Sequence, residues 1–243
     1  MSRPADALWT GLPLGRGVTL LAHDPNGVGA LCKPAGVLSH PNAAGDEPRS
    51  LLTAPYRMDE EIYEWPGGRL WLINRLDSAT SGVILVAADA SLAAAIRAQF
   101  KDRRVRKVYR ALVFGKVVKQ SEIWRDRLAV DKKGGRIRTG GGFIPAESAM
   151  AVVRAGPAAT QISLEPHTGR SHQLRVQCAR RGLPIVGDQT YGDFRRNREF
   201  AKAAGTKRLF LHSFETGFDY TLKGRTHHFE ATAPLPPEFD ANS

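Results

Sequence analysis

Residues 73–87 read INRLDSATSGVILVA, an ionisable pair, Arg75 and Asp77, set between two apolar runs of strand length. Small hydroxylated residues and Gly82 follow the pair. A carboxylate held between core strands needs a partner, because an uncompensated buried charge is costly. In an extended segment Arg75 lies on the same side as Asp77, two residues away. On these residues alone two readings stay open. Asp77 either shapes a turn, its side chain bonding the backbone near Ala79 or Thr80, or it is an ionised group kept for chemistry.

Two further clusters could do chemistry. HTGRSHQLR, residues 167–175, places Arg170, His172 and Arg175 at a junction between a turn and a helix. A helix starting near Ser171 puts Arg175 one turn in, on the Ser171 face. A basic surface helix is the plain alternative. His167, His172 and His212 are a conceivable metal set, but the H-E-x-x-H spacing is absent and no acidic residue completes it. The run KDRRVRKVYR, residues 101–110, carries Lys101, Arg103, Arg104, Arg106, Lys107 and Arg110 around Tyr109. Cations of this kind hold phosphates while an aromatic ring stacks on a base. Cations at a helix end, favoured by its dipole, account for Lys101 to Arg104. They do not account for Tyr109 in the strand that follows. There is no G-x-S-x-G elbow, no G-x-x-x-x-G-K-[ST] phosphate loop and no G-x-G-x-x-G after a strand.

The elements that must position these residues follow from punctuation and period. Residues 18–41 predict strand, turn, strand, turn, with Asp24-Pro25-Asn26-Gly27 as the first turn and Lys33-Pro34-Ala35-Gly36 as the second. Residues 42–69 are polar with Pro and Gly and predict an irregular surface excursion. RLWLI (69–73) and VILVA (83–87) predict strands. Leu92, Ile96 and Phe100 predict a helix over 90–104, capped by Asp89 or Ser91. KVYRALVFGKV (107–117), ESAMAVVRAG and ATQISLEP predict strands, and residues 131–142 a basic glycine-rich loop. Residues 167–182 predict a turn and a helix closed by Gly182. PIVGDQTYGD predicts a loop, and 208–221 and 226–236 two last strands. Many strands with two clear helices argue for an α+β class with a mostly antiparallel sheet. Residues 1–17 are expected to be a loosely ordered leader and 18–243 one domain.

The 243 residues include 35 Lys or Arg against 24 Asp or Glu, a net charge of +11. The pI near 10.0 is the footprint of a polyanion binder. No apolar run is long enough to span a membrane, and the N-terminus has no signal-peptide core. Cys32 and Cys178 make neither a disulfide framework nor a zinc site, and are expected as reduced thiols in a cytoplasmic protein.

Taken together, the segments resemble one family, the RluA-type pseudouridine synthases. KPAGVLSHP (33–41), NRLDSATSG (74–82), KVYRALV (107–113), HTGRSHQLRVQ (167–177), GLPIVGDQTYG (182–192) and RLFLHSF (208–214) match its motifs in order, over about residues 18–236. Asn74 and Gln177 stand where the family usually has His. The resemblance implies the pseudouridine synthase fold, a mixed and mostly antiparallel sheet with flanking helices and a catalytic cleft across it. It implies a catalytic domain without an S4-type RNA-binding domain. It implies isomerisation of specific uridines in rRNA or tRNA, with the target nucleotide flipped out of its stack.

Asp77 matches the catalytic aspartate, acting at ribose C1′ or at uracil C6. Arg175 matches the residue that pairs with it, and Tyr109 the aromatic that stacks on the uracil. Arg75 matches the residue that fills the vacated space, and Leu211 an apolar contact to the base. Arg170, His172 and Asn74 are the remaining substrate-binding candidates. Lys101, Arg103, Arg104, Arg106, Lys107, Arg110, Arg136, Arg138 and Arg195 to Arg198 are backbone contacts by charge alone. The expected partner is RNA, with no DNA or membrane partner, no cofactor and no metal, and the expected state is a monomer. An RNA binder that kept the fold and lost the activity, and a nucleotide hydrolase, are the rivals. Intact Asp77, Tyr109 and Arg175 count against the first, and the missing metal and phosphate-loop motifs against the second.

Overall fold

Trp9 sets the N-terminal end of the fold. The computed structural model describes residues 5–130, 137–139 and 142–241. Helix α1 (Ala5–Thr10) carries Trp9, only 4% exposed, into a core with Val18, Leu31, Leu51 and Ile84. Gly29 leaves room for the indole: a Cβ there would lie 2.3 Å from the ring. Leu14 bridges to Leu52. Within the stretch expected as a leader, Leu8, Leu12 and Leu14 pack beside Trp9 against the same core.

Strand β1 (Thr19–His23) turns at Asp24 into β2 (Val28–Lys33). Asp24 Oδ1 accepts the amides of Asn26 and Val28, and Gly27 takes a positive φ of 102°. Residues 42–69 are not the surface excursion expected. They hold β3 (Tyr56–Arg57), β4 (Ile62–Trp65) and the start of β5 (Gly68–Leu72). Leu51, Leu52, Ile62 and Tyr63 among them are fully buried. The polar residues that suggested a loop flank these paired core positions. Strand β6 (Ser81–Ala87) is buried along its whole length. Helix α2 (Ala90–Lys101) follows, its first turn capped by Asp89, which accepts from the amides of Ser91 and Leu92.

Then come β7 (Arg106–Val113), β8 (Ser121–Val130), β9 (Ile137–Thr139), β10 (Ile144–Ala155) and β11 (Thr160–Pro166). Helices α3 (Gln173–Arg180) and α4 (Phe194–Ala204) follow. The chain ends with β12 (Leu211–Leu222), β13 (Arg225–Thr232) and α5 (Glu238–Ala241). Strands β8 and β9 and helices α1, α4 and α5 were not expected from the sequence; β9 falls inside the glycine-rich loop expected at 131–142, whose residues 131–136, 140 and 141 lie outside the described residues.

The chain divides into two compact units. One comprises Met1–Val105 and Ser213–Pro234, the other Arg106–His212 and Leu235–Ser243. In the first, β6 is central. One edge pairs antiparallel with β2, from Lys33–Gly82 to Val28–Ala87. The other pairs with β5 at the C-terminal end of β6 and is followed in strand order by β12. Strands β12 and β13 form a hairpin, and α2 packs Leu92, Ala93 and Ile96 against Val83, Leu85 and Phe218. In the second unit the strand order is β7-β11-β10-β8-β9, with antiparallel pairing throughout. Leu112, Phe114, Val186, Phe210 and Phe239 form its main apolar cluster. No described helix is long and apolar enough to cross a membrane.

Gly82, the second residue of β6, has φ +114°, and a Cβ there would sit 2.1 Å from the Ser213 carbonyl oxygen. Backbone meets backbone at that point, so neither side can yield cheaply. Gly82→Ala is expected to cost about 2 kcal/mol or more, read as a lower urea midpoint with an unchanged slope. An unchanged midpoint would show that the approach is not a constraint.

Candidate active site

Asp77 sits in the connection between β5 and β6, which is short and fully tethered. Ile73 donates its amide to the Leu85 carbonyl at 3.0 Å, and Leu85 donates back to Asn74 Oδ1 at 2.8 Å. Ser39 Oγ grips Leu76 twice, donating to its carbonyl (2.7 Å) and accepting from its amide (3.0 Å). The Thr80 amide closes a turn onto the Asp77 carbonyl at 3.0 Å. That bond uses the main-chain oxygen of Asp77. The next residue, Ser78, gives its carbonyl to the Gly36 amide and to Lys33 Nζ.

Lys33 is wholly buried. Its ammonium donates to the carbonyls of Pro34 (3.0 Å), Val37 (2.7 Å) and Ser78 (3.0 Å). The Lys33-Pro34-Ala35-Gly36 turn is thus bolted to the Asp77 segment, and Asp77 is left half-buried. Asn74, offered above as a substrate contact, spends its side-chain oxygen on Leu85 and so shapes the segment. Arg75 is exposed, with Nη1 3.4 Å from His40 Nε2.

The second unit holds the other candidates. Tyr109 is half-buried on β7, opposite Leu164 of β11. Arg175 is buried on α3, and two of its five N–H groups grip Asp188 in a parallel fork at 2.8 Å each. Sequence reasoning passed over Asp188, although it lies in the quoted GLPIVGDQTYG segment. Asp188 also accepts the amides of Thr190 and Tyr191. Burial pushes its carboxyl pKa up, but the Arg175 guanidinium and the two amides outweigh burial, so the net shift is below the usual value. Asn197 of α4 pins the same loop, donating to the Asp188 carbonyl and accepting from Gly187. The guanidinium of Arg175 lies over the Tyr191 ring at 5.2 Å, and the Tyr191 hydroxyl meets His172 Nδ1 at 2.9 Å.

Helix α3 is itself fixed by a buried polar network. Gln173 bridges Thr168, Ser148 and the Glu147 carbonyl. Gln177, standing where the family has His, accepts from Ser148 Oγ and donates to Asp126. Arg170 is exposed, its Nε 3.3 Å from the Pro145 carbonyl. Leu211 is buried at the start of β12.

Among the charge-based candidates, Lys101, Arg103, Arg104 and Arg106 are exposed, and Arg106 faces Glu165 at 3.6 Å. Lys107 and Arg110 are half-buried, and burial lowers the pKa of the Lys107 ammonium. On α4, Arg195 and Arg198 are exposed, while Arg196 lies over the Phe114 ring at 4.3 Å. Arg136 lies outside the described residues, and only the backbone of Arg138 is described. His167 bonds Glu147. Among the described residues no cluster of three or more His, Cys, Asp or Glu is placed to hold a metal.

A family model for RNA pseudouridylate synthases matches residues 28–180, from β2 to the end of α3. The chain belongs to the RNA pseudouridylate synthase family. It is 33% identical over 171 residues to ribosomal large subunit pseudouridine synthase C of Vibrio vulnificus, covering 70% of this chain and 53% of that protein. It is 30% identical over 210 residues to tRNA pseudouridine synthase C of Yersinia pestis, covering 80% of this chain and 79% of the other. The chain thus spans about half the length of the ribosomal synthase it matches. In fold it is similar to human RNA pseudouridylate synthase domain containing 4, with a TM-score of 0.69, 22% identity, and 98% and 93% of the two chains covered. The corresponding values for human RNA pseudouridylate synthase domain containing 1 are 0.68, 24%, 93% and 87%. Within this synthase family member the matched span includes Lys33, Asp77, Tyr109 and Arg175, but not Asp188 or Leu211.

The Asp188 fork makes a pH-dependent contribution of known sign. A carboxyl lowered from 3.8 in the folded state stabilises fully above its unfolded pKa and loses that stability as pH falls through the folded value. Wild type should lose stability on acidification below about pH 4, and Asp188→Asn should lack that component. Asp188→Ala strands the buried guanidinium and should cost about 3–5 kcal/mol at neutral pH. Parallel pH–stability curves for wild type and Asp188→Asn would contradict this.

Proposed function

We propose that this protein isomerises uridine to pseudouridine in a structured rRNA or tRNA, with Asp77 as the nucleophile. The observation that carries the proposal is the tethered β5–β6 connection, which holds one half-buried carboxylate between the grips of Lys33 and Ser39 in a chain of this family. A positioned group gains most of its catalytic advantage from being in place before substrate arrives.

The chemistry needs such a group. The N1–C1′ bond breaks, the uracil turns, and a C5–C1′ bond forms. The C5 proton leaves to a base and N1 takes up a proton, so the product has the composition of the substrate. Asp77 assists either by attacking C1′ as the glycosidic pair withdraws to N1, or by adding to C6 of the ring. Both routes need the ionised carboxylate. Arg175 matches the guanidinium that keeps it charged in the family, and its fork with Asp188 accounts for a rigid head group. In this reading Tyr109 stacks on the flipped uracil and takes up the C5 proton. Arg75 occupies the gap left in the RNA. The exposed Lys101, Arg103 and Arg104 supply phosphate contacts. Cys32 and Cys178, both outside any disulfide, fit action in the cytoplasm.

The test is tritium release from ribosomal and transfer RNA transcribed with [5-³H]uridine, since forming pseudouridine expels the C5 hydrogen. Wild type should release tritium from one pool. Asp77→Asn should release none while binding that RNA within about threefold of wild type. No release by wild type from either pool, with RNA binding intact, would point to the inactive binder. Release by Asp77→Asn at a comparable rate would remove the nucleophile assignment.

A further inference from the structure

Two adjacent residues of the 33–41 segment grip two adjacent residues of the β5–β6 connection. Ser39 holds the Leu76 backbone in both directions, and His40 Nε2 lies 3.4 Å from the Arg75 guanidinium. We propose that His40 is a positioning residue that presets the Arg75 side chain for entry into the RNA. This rests on the reading of Arg75 given above.

The tautomer follows from geometry. His40 Nδ1 lies 2.9 Å from the Pro41 carbonyl, so Nδ1 carries the proton and donates. Nε2 then offers its lone pair, and Arg75, always protonated, donates to it. The ring cannot swing away, because it stacks on Tyr56 with centroids 4.9 Å apart and planes 9° apart. Tyr56 packs on Tyr63 at 4.8 Å, and the Tyr63 hydroxyl donates to the Ser39 carbonyl at 2.8 Å. The acceptor that faces Arg75 is therefore mounted on the aromatic platform that also supports Ser39.

An arginine exposed to water samples many rotamers, and ordering it on binding costs free energy. An arginine already held needs less ordering when it enters the RNA. A simple core stack explains the His40–Tyr56 contact. It does not explain why the imidazole edge turns an acceptor toward an exposed guanidinium.

Two variants separate these readings. His40→Phe keeps a ring on Tyr56 and removes the acceptor. His40→Gln restores an acceptor near the Nε2 position without the ring. The single-turnover rate of tritium release at saturating RNA should fall about tenfold in His40→Phe, the scale of one charge-assisted hydrogen bond, and recover mostly in His40→Gln. In an Arg75→Ala background, His40→Phe should change the rate no further. An unchanged rate in His40→Phe, or an equal loss in the Arg75→Ala background, would overturn the proposal. A second readout does not depend on activity. In the free protein the ¹⁵N spectrum should show the His40 Nδ1–H tautomer, and Arg75→Ala should shift the Nε2 resonance. An Nε2–H tautomer, or an Nε2 resonance blind to Arg75→Ala, would overturn the proposal even if wild type proved inactive on every RNA, a result that would count against the parent reading instead.

Discussion

A buried ammonium is stable only where its N–H groups are met, and Lys33 meets carbonyls from Pro34, Val37 and Ser78. Those carbonyls belong to two stretches of chain 45 residues apart, the turn after β2 and the connection after β5. The charge therefore welds one to the other. An apolar side chain in that space would remove one donor from each of the three carbonyls, and among the described residues only the Ser78 carbonyl would keep another, the Gly36 amide. The geometry of Asp77, the register of Leu76 on Ser39 and the placement of Arg75 beside His40 all follow from that join. Strand pairing between β2 and β6, from Lys33–Gly82 onward, carries the same constraint into the core.

The second unit uses the inverse arrangement. There a buried carboxylate, Asp188, is met by a guanidinium and two amides, and the guanidinium is Arg175. The fork sets the plane of the Arg175 head group, and Tyr191 covers its face. Helix α4 contributes through Asn197, which holds the backbone on both sides of Asp188. Each unit thus spends a buried charge on holding one candidate site segment still, a use of buried polar groups that favours a single geometry over raw stability.

Much of this was legible in the sequence because motif residues and turn residues coincide. Lys33-Pro34-Ala35-Gly36, Asp77 and the helix from Gln173 fell where the pattern put them, and the Asp89 cap was found at its helix. What escaped was set by tertiary packing. Residues 42–69 read as polar, yet Leu51, Ile62 and Tyr63 among them are core, and a mixed pattern cannot tell a half-buried hairpin from a loop. Helix α4 is strongly amphipathic but poor in large apolar residues, with Phe194 and Phe200 alone, although Asp193 and Gly205 at its ends are cap residues that could have announced it. Asp188 was hidden because one Asp in a turn has a local explanation, and only burial against Arg175 shows its other use. Gln177 departs from the family's usual His, and its bonds to Ser148 and Asp126 show a side chain fully engaged in holding α3.

The central claim is that the carboxylate works because its segment cannot move. Asp77→Glu tests it most directly, since it keeps the charge and displaces it by one methylene. With wild type as reference, the single-turnover rate of tritium release at saturating RNA should fall by about 100-fold or more, with RNA affinity and unfolding midpoint unchanged. A rate near that of wild type would mean that the segment adapts to the longer side chain, and would contradict the account.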